Sequence, residues 1–211
     1  ITYQPPARPQ PVYQATESDP VRMPIEQTTA SPPAPLFTVK RLAFIWLVGS
    51  ILYMTWILIR AVRFQLRLRR QRIRPDEPLE KEIADLAGQF WPGLKVRSFL
   101  LEGIGQPFVW GLWRGAIYLP ANFTHTSAGR KRHAILLHEM AHIARADALI
   151  NLIQVIAQGL YWFHPLVWIA NRMIRAEREK CCDEIAIAKL KTTPKEYGGA
   201  IVEVLTAEYH S

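Results

Sequence analysis

Cysteine is almost absent. The 211 residues hold two, Cys181 and Cys182, and neighbouring thiols close only a strained disulfide. A disulfide scaffold is thereby excluded, and a reducing compartment is the simpler setting. Acids are missing from one whole stretch: between Lys40 and Arg74 there are nine Lys/Arg and no Asp or Glu. The net charge of +8 is therefore a +9 segment on a remainder of −1. A chain basic throughout, as a nucleic-acid coat would be, is excluded. Glycine, at 11 residues, is too sparse for collagen, and no internal repeat occurs. The first residue is isoleucine rather than methionine, as expected of a piece of a longer protein.

What is present falls into four pieces. Nine of the 16 prolines lie in the first 35 residues, among Gln, Ser and Thr. Such a segment buries too little apolar surface to offset its ordering entropy, so residues 1–39 read as a disordered linker of partly polyproline character. Residues 42–59, LAFIWLVGSILYMTWILI, are 18 consecutive residues without a charge. As a helix they reach about 27 Å, close to the thickness of a bilayer's hydrocarbon core. Two basic residues precede the run and seven arginines follow it by Arg74. This asymmetry predicts a transmembrane helix over 40–62, a basic juxtamembrane segment over 63–74, the linker outside the cell and residues 75–211 in the cytoplasm.

The third piece, 76–130, has mixed character. PLEKEIADLAGQF places Leu79, Ile83 and Leu86 at helical spacing with acids near the start. LKVRSFLL (94–101) is strand-like, and the apolar runs 107–112 and 115–120 suggest a hairpin. The free edge of that hairpin could receive an extended peptide as an added strand. This is a hypothesis, and charge or proline substitutions along Phe108–Leu112 that left cleavage intact would remove it.

Residues 131–190 read as helical. One helical run is expected over 131–163, ending before His164-Pro165, and a second begins at Pro165 and continues to about Lys189. No charge occurs from Ala148 to Asn171. A core helix, a helix at the membrane interface and a re-entrant segment are all open for 148–163.

The chemistry lies in His138-Glu139-Met140-Ala141-His142, an HExxH motif. Residues four apart stand one turn apart on one helix face, so both histidines can offer a ring nitrogen to one zinc ion. That ion would lower the pKa of a water whose proton Glu139 is placed to take. Ala134, Ile135, Leu136, Leu137 and Ile143 make the helix mostly apolar, and polar groups buried there need a compensating partner. A third ligand is required. The metzincin pattern is excluded, because Arg145 and Ala148 stand where it needs glycine and histidine. Asp147, His164, Glu177, Glu179, Asp183 and Glu184 remain, with Asp147 too close along one helix to close the site comfortably. Glu179 and Asp183 share a face of the second helix, so one could ligate while the other accepts the free N–H of a ligating histidine. Cys181 and Cys182 read as packing residues, and Arg145 and Asp147 as a pair or as partners of neighbouring backbone.

The stretch LLHEMAHIARADALINLIQ…FHPLVWIANRMIRAEREKCCDEIAIA, with PFVWGLWRGAIYLP upstream, resembles the BlaR/MecR-type family of bacterial membrane metallopeptidases, which includes beta-lactam sensor-transducers. The resemblance covers about residues 75–205. It implies a glutamate ligand in an E-x-x-x-D pattern of gluzincin type, which Glu179–Asp183 alone fits here. It thus makes His138, His142 and Glu179 the zinc ligands and Glu139 the general base. Asp183 becomes the carboxylate behind a ligand.

The expected fold is α+β, a predominantly helical gluzincin-type domain with a small hairpin or sheet after one transmembrane helix. The expected function is a membrane-anchored zinc endopeptidase, cutting a cytoplasmic repressor-like protein or itself in transmembrane signalling. A membrane quality-control metalloprotease and a zinc-binding scaffold without proteolysis are the rivals. Expected partners are a protein substrate and anionic inner-leaflet lipids, with a homodimer open and no nucleic acid.

Overall fold

A computed structural model describes residues 39–126 and 129–199. Except for Val39, the proline-rich linker expected over 1–39 lies outside the described residues. Helix α1 (Val39–Gln71) runs unbroken through the apolar stretch and most of the basic one, about 50 Å at 1.5 Å per residue. Among the described residues it is the one helix long and apolar enough to cross a membrane. Its apolar half is laid open, with Phe44, Ile51, Leu52 and Leu58 all exposed.

The basic half of α1 is not a loose tether. It docks on a three-stranded sheet formed by β1 (Arg97–Leu101), β2 (Phe108–Trp110) and β3 (Ala116–Pro120) in the order β1-β3-β2. Strand β3 pairs parallel with β1 and antiparallel with β2, which confirms the expected hairpin. Every residue of β3 is buried, and its period-two alternation serves two cores. Ala116 and Tyr118 face Leu68 of α1, while Ile117 and Leu119 join the main core. Phe64 packs edge-on against Trp110, whose indole N–H donates to Gln65 Oε1 at 2.6 Å. A further bridge pairs Ile73 with Leu100.

Helix α2 (Glu77–Phe90) buries Leu79, Ile83 and Leu86, as its periodicity predicts. These meet Leu136, Leu137 and Met140 of α4 (Gly129–Ala144), which follows the single-turn helix α3 (Phe123–Thr126). The expectation of one helical run over 131–163 is corrected here. The chain stops at Ala144, turns through Ala146 in the left-handed region (φ 56°), and restarts as α5 (Asp147–Leu160), bent by 59° from α4. A left-handed alanine costs about 1–2 kcal/mol, and neither glycine nor proline marks the break in the sequence. Helix α6 (Pro165–Leu190) begins at the proline as expected, with His164 extended before it.

Candidate metal centre

Helices α4 and α6 cross at the site. HExxH spacing puts His138 and His142 on one face of α4, and their Nε2 atoms stand 3.3 Å apart. From α6, Glu179 Oε2 comes to 3.4 Å from His138 Nε2 and 3.5 Å from His142 Nε2. These three donors form one compact group. A metal ion about 2.0–2.2 Å from each of three tetrahedral donors sets them about 3.3–3.6 Å apart. The separations fit that figure, and two imidazoles with one carboxylate are a donor set that leaves a fourth position open.

Each histidine is held from behind. His138 Nδ1 lies 2.9 Å from Asp183 Oδ1, and His142 Nδ1 lies 2.7 Å from Asp147 Oδ2. A ring N–H donated to a carboxylate fixes the tautomer that leaves Nε2 as the free lone pair. Asp183 also accepts the Tyr197 hydroxyl proton at 2.9 Å, in a helical segment over 194–199. Burial, and then Asp183, raises the Tyr197 pKa above its ordinary value. The phenol remains a donor as a result.

Sequence reasoning missed the role of Asp147. Read on the same helix as His142, it would point away five residues on. The turn at Ala146 swings it behind the histidine instead, where it is buried and also accepts from Arg145 Nε at 3.4 Å. No glycine signals that turn, so no local pattern could have found it. Tyr197 likewise carried no motif.

Other candidates lie elsewhere. His164 sits before α6 beside Phe163, and Glu177 pairs with Lys180 at 2.7 Å. Neither they nor Glu184 share the donor group of His138 and His142 among the described residues. Cys182, fully buried, packs 3.4 Å from His142 Nδ1 and 3.7 Å from Asp147 Oδ2. Burial, then Asp147, pushes its thiol up to about 12, so it is a protonated packing group rather than a thiolate ligand.

Glu139 lines the same cleft as the three donors and is 8% exposed. Burial first, and the charge of Glu179 second, push its carboxyl up to about 8. A cation at the donors would offset both effects and favour the carboxylate. The cleft has a volume of about 970 Å³. Strand β2 forms one side, α1 from Ile57 to Arg69 a second, and α5 around Asn151 and Leu152 a third. Among the described residues strand β2 pairs only with β3, which leaves its other edge without a strand partner there.

Comparisons with known proteins give the family of the chain. A family model described as BlaR1 peptidase M56 matches residues 4–210. Regulatory protein BlaR1 of Bacillus licheniformis is 36% identical over 104 residues, which are 47% of this chain and 17% of that protein. Methicillin resistance mecR1 protein of Staphylococcus aureus is 32% identical over 82 residues, 39% of this chain and 14% of that protein. The chain thus spans less than a fifth of the relatives it matches. The matched length, nearly all of it, decides the classification: the chain belongs to the BlaR1 peptidase M56 family of metallopeptidases.

Proposed function

We propose that the chain is the catalytic part of a membrane-anchored zinc endopeptidase, acting on a cytoplasmic protein, either a repressor-like partner or a second site in itself. The carrying observation is the convergence of His138 Nε2, His142 Nε2 and Glu179 Oε2 within 3.5 Å of one another. This donor set suits zinc. When bound, zinc polarises the carbonyl of the scissile bond and lowers the pKa of water at the site. Glu139 takes the proton of the attacking water and returns it to the departing amine nitrogen. Asp147 and Asp183 hold the two imidazoles in the ligating tautomer. The free edge of β2 receives the substrate in extended form, so that its backbone hydrogen bonds set register along the cleft.

The basic stretch after Ile59 supports a cytoplasmic catalytic domain from about residue 75, with residues 40–62 in the membrane and 1–39 outside. Its arginines also suit anionic inner-leaflet headgroups. The names of the relatives, a regulatory protein and a resistance protein, support a signalling role for the cleavage.

Metal removal tests the reading. Stripping the purified, membrane-reconstituted chain with a chelator is expected to abolish peptide hydrolysis, and stoichiometric zinc to restore it. Hydrolysis that persists in protein shown by elemental analysis to be metal-free would overturn the proposal.

A further inference from the structure

Helices α5 and α6 form a hairpin whose outer surface is a second apolar face. Ile153, Ile156, Leu166 and Ile169 are each between 43% and 63% exposed, and no charge occurs from Ala148 to Asn171. In water such a surface is costly, and contiguous apolar patches of this kind mark a partner or a membrane.

The hairpin lies along the apolar half of α1. The Trp46 indole N–H donates to Leu160 O at 2.6 Å, and Tyr53 stacks edge-on with Trp168. Two glycines permit the close approach: a Cβ on Gly49 would strike Trp162, and one on Gly159 would strike Met54. Helix α5 is 14 residues long, about 21 Å, and its far end meets Trp46 and Met54 of the apolar run. The tip of the hairpin therefore stands deep within the stretch of α1 that reads as a membrane span.

One pair of polar side chains on the hairpin, Gln154 and Asn171, is sequestered between its two helices. Gln154 and Asn171 are both 4% exposed and bond to each other across the two helices. Gln154 Nε2 donates to Asn171 O at 3.2 Å and to Asn171 Oδ1 at 3.3 Å, and Asn171 Nδ2 donates to Gln154 O at 3.3 Å. Inside a bilayer, polar side chains face the protein interior and pair in this way. Arg172 ends the apolar part of the return leg, and its long stem lets the guanidinium reach toward the interface.

We propose that the α5–α6 hairpin is itself inserted in the bilayer beside α1, entering and leaving by the same leaflet, with lipid acyl chains covering its outer face. The hairpin stands directly on the metal centre, since Asp147 opens α5 and Glu179 follows on α6. The cleft then opens at the membrane surface, and the bonds it cuts lie close to the bilayer. This inference rests on the reading of α1 as a span.

Photolabelling tests it without altering the protein. The wild-type chain is reconstituted in phosphatidylcholine vesicles carrying a lipid with a diazirine at the acyl terminus, irradiated, and mapped by mass spectrometry. Peptides holding Ile153, Ile156, Leu166 and Ile169 should be labelled at least about tenfold above the α2 peptide, alongside those holding Ile51 and Leu52 of α1. Label on α1 but none on the hairpin overturns the inference and leaves the span standing, whether water or a second copy covers that face. Label on neither removes the span reading, and the inference with it.

Discussion

Glu139→Gln is expected to keep the metal centre filled while lowering peptide cleavage about 10²–10⁴-fold, the usual contribution of a positioned general base. The amide is nearly isosteric with the carboxylate, so the buried position beside His138 is not emptied. None of the three converging donors is touched. What is lost is the ability to accept the proton of the attacking water and carry it to the leaving nitrogen. Elemental analysis should therefore find wild-type zinc content, and the loss should fall on kcat more than on KM. A variant that still cuts at the wild-type rate would remove Glu139 from the mechanism.

Glu179→Ala should do the opposite, emptying the site and abolishing activity together. Two histidines from one helix leave only two of the three protein ligands that a catalytic zinc normally has. The side chain of Glu179 is about half exposed, so its removal opens no cavity and the fold should survive, checked by circular dichroism. Asp147→Asn and Asp183→Asn are expected to fall between wild type and this loss. Each weakens the ring hydrogen bond behind one ligand, which lowers metal affinity about 10–100-fold, measured by competition with a chromophoric chelator. Should Glu179→Ala retain stoichiometric zinc, the third ligand lies elsewhere. If the two Asp variants bind as tightly as wild type, the carboxylates are structural and do not tune the ligands.

The chain shows unevenly what a sequence can reveal. Hydropathy marked α1, periodicity marked the buried face of α2, and two short apolar runs marked the β2–β3 hairpin. In each case the signal lies within one element, where neighbouring residues share one environment. HExxH belongs to the same class, because four residues of helix suffice to align two rings. Glu179 became the favoured ligand only through the resemblance, since spacing alone left five other candidates. The ring-holding role of Asp147 was invisible for a different reason. It depends on one alanine in a left-handed conformation, and alanine carries no signature of that state. The site of 148–163 was equally undecided, because an uncharged helix of 14 residues fits a core, an interface or a re-entrant hairpin.

By itself, then, the sequence determined the apolar span, the asymmetric charge around it and the two histidines with their neighbouring glutamate. All of these follow from the period of a helix or from charge counted along the chain. Only the tertiary structure decided which carboxylate meets the histidines, which ones stand behind them, and that the cleft lies between the membrane helix and a free strand edge. Glu179 and Asp183 reach the histidines from about 40 positions away, and Asp147 reaches His142 from five positions only because the helix breaks between them. Local pattern carries no information about these outcomes, because the energies that decide them arise only when the elements pack.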